Sequence, residues 1–240
     1  METLVQRLCD WIGNKVTKAK AEGVVFGLSG GIDSAVVAAL SIKVFPKNTL
    51  AIIMPCHNLE ADTNDALDLI NKLNISYKII DLSKVYDLFI HLLNDKEKER
   101  SFKLAEANIK PRLRMVTLYY FANKLNYLVV GTGNKSELTI GYYTKYGDGG
   151  ADILPLGNLL KSQVKELAEY LGIPKKIINK PPSAGLWEGQ TDEEEIGISY
   201  DQLDKYLKTG KINNKIIEKK IQDKITQSAH KRTPPVKPPF

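Results

Sequence analysis

The chain has 240 residues, 43% hydrophobic and 26% charged, the composition of one well-filled α/β domain. No apolar run approaches the ~20 residues that a membrane helix needs, and no signal-peptide centre opens the chain, so neither membrane nor secretion is expected. The net charge of +6 points to nucleic acid at first sight, but residues 208–240 hold nine Lys/Arg against two Asp/Glu and the remaining 207 residues hold 25 against 26. The basic character belongs to a C-terminal segment, so no nucleic acid is expected. Such a segment serves a polyanionic small molecule as well as RNA. Cys9 and Cys56 are too few for a disulfide framework or a zinc site, and a reducing cytoplasm fits them.

In chain order, Leu4, Val5, Leu8, Trp11, Ile12 and Val16 give residues 3–20 a helical apolar face, with Cys9 on it. Val24-Val25-Phe26 reads as a buried strand. Gly27-Leu28-Ser29-Gly30-Gly31-Ile32-Asp33-Ser34 follows, and Ala35–Leu40 leads into a helix that ends near Phe45-Pro46. Strand, tight glycine turn and helix form an anion site. Glycines allow close backbone approach, and the helix N-terminus offers free N–H groups and partial positive charge. Asp33 would repel a bare phosphate, yet suits one that arrives with a divalent cation. The loop is not a Walker P-loop, because no Lys follows Gly31. The bland alternative is an ordinary Gly/Ser-rich turn.

Leu50–Met54 is a second buried strand, Ala61–Leu73 a helix, and Ser76–Ile80 a third strand. Asp95–Arg100 is a solvated charge run. A long helix covers Pro111 to about Asn126, with Pro111 in its first turn, and Tyr127–Val130 is a fourth strand. Strands separated by helices of these lengths imply right-handed crossovers and a mostly parallel, doubly wound sheet. Ligands bind beyond the carboxyl ends of such strands, where strand order reverses. Thr132 and Glu137, after the fourth strand, would then meet the loop after the first. Glu137 alone reads as a helix-start residue; paired with Asp33 in this topology, it reads as the second ligand of one Mg²⁺.

Tyr142–Asp152 carries three glycines, three tyrosines, Lys145 and two aspartates, a binding loop or a flexible surface loop. Leu159–Leu171 is a helix starting near Lys161. Lys180–Trp187 is a Pro/Gly segment of the kind that covers a site. Thr191 is an N-cap before an acidic turn, Tyr200–Leu207 and Lys215–Thr226 are helices, and the tail is Pro-rich and extended. His57 and His91 carry no signal. The whole is one domain over 1–240, with an irregular C-terminal helical segment and 208–240 as part of it.

The glycine loop resembles the SGGxDS loop of ATP pyrophosphatases, which hold the pyrophosphate portion of ATP. Gly27–Ser34, Gly131–Glu137, Tyr146–Asp152, Lys180–Trp187 and His230-Lys231-Arg232 occur in one order, and together they look like the ammonia-dependent NAD⁺ synthetase family. The resemblance implies a doubly wound α/β homodimer acting on deamido-NAD⁺, ATP and ammonia with Mg²⁺. It implies that Gly27, Leu28, Ser29, Gly30, Gly31, Ile32, Asp33, Ser34, Met54, Thr132, Lys161 and Ser183 contact ATP. Asp33 and Glu137 match the metal ligands. Arg112, Lys145, Asp152, His230 and Lys231 match deamido-NAD⁺ contacts, and Asp148 falls near the ammonia position. Asp33, Glu137, Asp148 and Lys161 form the implied catalytic set. Ser183 stands where better-known members carry Thr and keeps the hydroxyl. Gly133–Ser136 replaces a more acidic, His-containing stretch. A glutamine-using relative would add a glutaminase domain, for which 240 residues leave no room. Two other functions fit parts of the sequence: a tRNA-modifying ATP pyrophosphatase, favoured by the basic tail but lacking suitably placed cysteines, and a non-catalytic nucleotide sensor, disfavoured by Asp33 beside the loop. Without the resemblance, Arg112 and Arg114 read as solvated helix charges, Lys161 as a helix-surface lysine and His230–Arg232 as a disordered tail.

Overall fold

In the computed structural model, which describes residues 1–93, 103–187 and 189–239, side chains of the first two strands alternate between two separate apolar layers. On β1 (Gly23–Gly27), Val24 and Phe26 join one layer and Val25 the other. On β2 (Thr49–Ile53), Ala51 and Ile53 oppose Leu50 and Ile52. Strands buried on both faces belong to a parallel sheet covered by helices on each side. The sheet order is β3-β2-β1-β4, all parallel, with β3 at Ser76–Ile79 and β4 at Tyr127–Val129. Order therefore reverses between β1 and β4, as the spacing predicts. Beyond β4, Val130 makes a single parallel bridge to Ile153.

One layer is built by α1 (Glu2–Lys18), α2 (Ile32–Val44), α3 (Glu60–Leu73), α8 (Lys161–Tyr170) and α9 (Lys175–Ile178), with Cys9 packed against it. The other lies under α6 (Ile109–Leu125) and α4 (Ser83–Leu93), with α5 (Lys103–Ala107) leading into α6. Each fully buried Phe26, Leu40 or Leu167 contributes about 1.5–3 kcal/mol over an exposed counterpart. A third, smaller core joins α7 (Lys135–Ile140), α10 (Asp192–Ile196), α11 (Tyr200–Thr209) and α12 (Lys215–Gln227) around Ile140, Ile196, Leu203 and Ile221.

The expected elements stand within a residue or two of their places, α7 forms where Glu137 reads as a helix start, and α4, α5 and α9 have no counterpart in the sequence reading. The Asp95–Arg100 charge run lies outside the described residues. Two readings change. Thr191 occupies the N-cap position of α10, but its side chain makes no cap hydrogen bond. His230–Arg232 is no loose tail: Ala229–Lys231 forms a 3₁₀ turn, Lys231 Nζ donates to Gly141 O and Tyr143 O at 2.7 Å, and Arg232 donates to Thr139 O at 2.7 Å. These cations satisfy carbonyls left free at the C-terminus of α7.

Candidate active site

The loop after β1 is shaped by its own hydroxyls. Ser34 Oγ donates to Gly31 O at 2.9 Å and lies 3.1 Å from Ser29 Oγ, which accepts from Gly31 N–H at 3.3 Å. Gly30 has φ +78°, and a Cβ there would lie 2.4 Å from Asp62 O on α3. Glycine is therefore required twice, by conformation and by the close approach of α3.

The ends of β1 and β4 converge on one ammonium. Lys161, the first residue of α8, places Nζ 2.5 Å from Asp33 Oδ2 and 3.1 Å from Glu137 Oε1. Asn134 caps α7 by accepting from Glu137 N–H at 3.1 Å, and its amide also donates to Asp33 at 2.9 Å. Glu137 is thus both helix-start residue and charge partner. The two readings of this residue are compatible because a capping box leaves one carboxylate oxygen free.

These charges sit largely out of water. Burial is the main force raising the Glu137 carboxyl, to about 7; the Asp33 charge adds to it, and Lys161 opposes it. Burial alone would lower Lys161, but the two carboxylates outweigh it and hold the ammonium charged. One cation between two carboxylates leaves one negative charge in excess. That is the donor set a small hard cation needs: two carboxylates, with phosphate oxygens and water completing the shell. Asp33 and Glu137 thus fit Mg²⁺, although among the described residues no cluster of three or more His, Cys, Asp or Glu is found.

A cavity of about 450 Å³ opens beside this centre. Of the residues singled out in the sequence, Gly27, Leu28, Ser29, Gly31, Ile32, Met54, Thr132, Glu137, Asp148, Ser183 and Lys231 line it. Gly30, Asp33, Ser34 and Lys161 stand behind the wall; Lys161 meets the cavity through Glu137. Asp148 is open to the cavity and accepts from Thr144 N–H at 2.8 Å, while the protein packed around it raises its carboxyl. Arg112, Lys145 and His230 are gathered elsewhere, outside the lining. Lys145 Nζ donates to His230 O at 2.7 Å and Arg112 reaches Lys145 O at 3.5 Å. Asp152 is not brought to the cavity wall. Its carboxylate accepts from Val129 N–H at 2.7 Å and Tyr119 OH at 3.0 Å, tying down the end of β4.

Several residues in the site escaped sequence reasoning. Arg114, read as a solvated charge, is instead half-buried in the cavity lining; it donates to Met54 O at 3.1 Å and Asn58 Oδ1 at 2.7 Å, and the protein packed around it lowers its pKa. Lys180 pairs with Asp62 at 2.5 Å and Asp65 at 2.8 Å on α3. Tyr200 OH lies 2.9 Å from Asp192 and 3.2 Å from Glu137, and Tyr142 OH lies 2.8 Å from Glu195 and 3.1 Å from Asp192. Burial raises Asp192, against the pull of Lys161. The only advance signal for Arg114 is its helical spacing from Lys110 and Leu118, which puts the three on one face of α6.

Fold and site define a nucleotide-binding α/β domain whose glycine–serine loop and paired carboxylates meet at the strand-order reversal. The NAD synthase family model matches residues 4–235, so the chain belongs to that family of C–N bond-forming ligases. It is 51% identical over 239 residues to the NH₃-dependent NAD⁺ synthetase of Carboxydothermus hydrogenoformans, covering 99% of this chain and 97% of that one. Among solved structures, the NMN synthetase of Francisella tularensis is 42% identical with a TM-score of 0.93, covering 100% of this chain and 98% of the other. The NH₃-dependent NAD synthetase of Campylobacter jejuni is 34% identical with a TM-score of 0.79, covering 98% and 97%.

Proposed function

We propose that the protein is an ammonia-dependent NAD⁺ synthetase. The observation that carries this reading is the Asp33–Lys161–Glu137 centre at the mouths of β1 and β4, beside a cavity lined by the glycine–serine loop. The nicotinate carboxylate of deamido-NAD⁺ attacks the α-phosphorus of ATP, and pyrophosphate leaves. Ammonia then attacks the activated carbonyl, AMP leaves with the electron pair of the broken C–O bond, and an amide remains. Gly27–Ser34 hold the phosphates through backbone N–H groups and hydroxyls. Lys161 offsets negative charge at the reacting phosphate. Asp33 and Glu137 are the residues that would hold Mg²⁺, which supplies charge neutralisation on the phosphates when bound. Asp148 receives the proton that ammonium must lose before its nitrogen can attack. Arg112, Lys145, Asp152, His230 and Lys231 are assigned to deamido-NAD⁺, and of these only Lys231 lines the cavity.

Incubation with deamido-NAD⁺, ATP, Mg²⁺ and ammonium should give NAD⁺ and AMP in equal amounts. No NAD⁺ above a no-enzyme control overturns the reading. The close superposition on a protein described as an NMN synthetase favours a second acceptor, nicotinate mononucleotide. Competition between the two acceptors in one tube, with both amides measured, ranks them.

We also propose a homodimer. Val85, Leu88, Phe89 and Leu92 form an exposed helical stripe on α4, and Val116 and Tyr120 do so on α6. We place the protein in the cytoplasm, on the support of its two free cysteines; among the described residues no helix is long and apolar enough to cross a membrane.

A further inference from the structure

We infer that Asn58 and Lys110 are positioning residues that latch the 180–187 segment over the cavity. This rests on the reading above for its chemistry, not for its geometry. Pro181, Pro182, Ser183, Ala184, Gly185 and Leu186 all line the cavity, so this stretch forms part of its wall.

Two side chains from different elements grip consecutive carbonyls of that wall. Asn58 Nδ2 donates to Gly185 O at 3.1 Å, and Lys110 Nζ donates to Leu186 O at 2.8 Å. From the far side, Gln190 Oε1 accepts from Leu186 N–H at 2.8 Å. The Gly185–Leu186 peptide is thus held at both its carbonyl and its N–H, and the following peptide at its carbonyl.

Asn58 has no freedom to turn its amide around. Its Oδ1 accepts from Cys56 N–H at 3.0 Å and from Arg114 at 2.7 Å. Two donors on the oxygen leave the nitrogen facing Gly185 O, so the side chain is set as a donor toward the segment. Gly185 is adapted to this contact: it has φ +61°, and a Cβ there would stand 3.1 Å from Asn58 Nδ2.

Lys110 is 94% buried, and its ammonium lies 5.3 Å from the centre of the Tyr86 ring. Among the described residues no carboxylate pairs with it; burial is the main influence and lowers its pKa. A buried ammonium whose hydrogen-bond acceptor is a single carbonyl is costly unless that carbonyl stays in place. Arg114 joins the two halves, since the same guanidinium that orients Asn58 also holds Met54 O at the end of β2. Nucleotide contact at Met54 and closure at Gly185 therefore share one support.

The chemical consequence is protection of an acyl-adenylate from water. If water attacks its carbonyl carbon, the C–O bond to AMP breaks, AMP leaves with the electron pair, and the free carboxylate is regenerated without amide. A loosened wall should then release AMP in excess of amidated product.

Asn58→Asp keeps an acceptor for Arg114 but removes the donor to Gly185 O. Lys110→Met keeps the volume and removes the charge, and Lys110→Arg restores a donor. In the whole protein, chymotryptic cleavage after Trp187 in the presence of a non-hydrolysable ATP analogue and Mg²⁺ should speed up about tenfold in Asn58→Asp and Lys110→Met. Their ratio of AMP to amide should rise from one to above two, and Lys110→Arg should recover most of the loss. Thermal melting confirms that each variant is folded; should Lys110→Met fail to fold, Asn58→Asp alone decides. Wild-type cleavage and a ratio of one in the folded variants overturn the latch. If the wild-type enzyme makes no amide at all, the proposed function falls, and the cleavage rates still judge the latch.

Discussion

Asp33 carries the sharpest test at the level of single residues. It is one partner of the largely buried Lys161 ion pair, so Asp33→Asn should lower the melting temperature while the protein stays folded. Turnover should nearly vanish, because Lys161 and Glu137 alone would leave one hard ligand too few. Pyrophosphate release beside a thermal melt checks both; an active Asp33→Asn enzyme refutes the metal role. Glu137 gives a pH prediction with a defined sign. Its folded pKa of about 7 lies above the ordinary 4.5, so between these values the folded chain keeps a proton that the unfolded chain has lost. Stability of the metal-free protein should therefore fall as pH rises from 5 to 7.5, and Glu137→Gln should flatten that slope. Melting temperatures at the two pH values read it directly. Asp33→Asn should lower the Glu137 pKa by removing a like charge, measurable by carboxyl NMR.

At this scale sequence reading succeeded where a local motif carries the chemistry. Gly27–Ser34 is a contiguous turn, and its hydroxyls and glycines act on neighbours a few positions away. It failed for Arg114, Tyr200 and Asp192. Whether an arginine on a helix is solvated or turned into a site depends on what packs against that face, which the helical spacing of Lys110, Arg114 and Leu118 does not by itself decide. The assignment of Asp152 rests on motif order; in the structure its two oxygens accept from Val129 N–H and Tyr119 OH.

Elements were legible in proportion to how far their own residues determine them. β1 and β2 are apolar runs bounded by polar or Gly/Pro positions, and α1 and α12 have clear apolar faces. α4 has equally regular spacing, yet no residue of it is buried. Such an element shows its purpose only when a covering partner is considered. α7 is six residues long and is held by its Asn134–Glu137 capping box rather than by propensity. The contact between the glycine loop and α3 gives a prediction at this scale. Gly30→Ala must force a left-handed alanine and push Asp62 away, costing about 1–2 kcal/mol from conformation alone. A lower melting temperature and weaker ATP binding should appear together. A variant with wild-type values of both would show that α3 yields freely.

For the whole molecule, the open question is what covers α4 and α6. Leu92 is 71% exposed and Val116 61%, values a lone soluble surface seldom tolerates in one apolar patch. Sedimentation at micromolar concentration should show a dimer, and Leu92→Lys with Val116→Lys should give monomers of unchanged melting behaviour at low concentration. A wild-type monomer at high concentration would overturn the dimer. Charge distribution also belongs to this scale: the basic terminal segment does not stand free, since Arg232 donates to Thr139 O in α7 and Lys231 to Gly141 O and Tyr143 O just after it.

By itself, the amino-acid order determined the alternation of strand and helix and the tight glycine–serine turn after the first strand, because period and turn chemistry are local properties. Tertiary structure alone decided that Lys161 stands between Asp33 and Glu137, that Arg114 turns into the cavity wall, and that Asn58 and Lys110 bond the 180–187 segment. All of these contacts except Lys161–Glu137 join residues more than fifty positions apart, and burial, which sets their electrostatic strength, is a property of the assembled molecule.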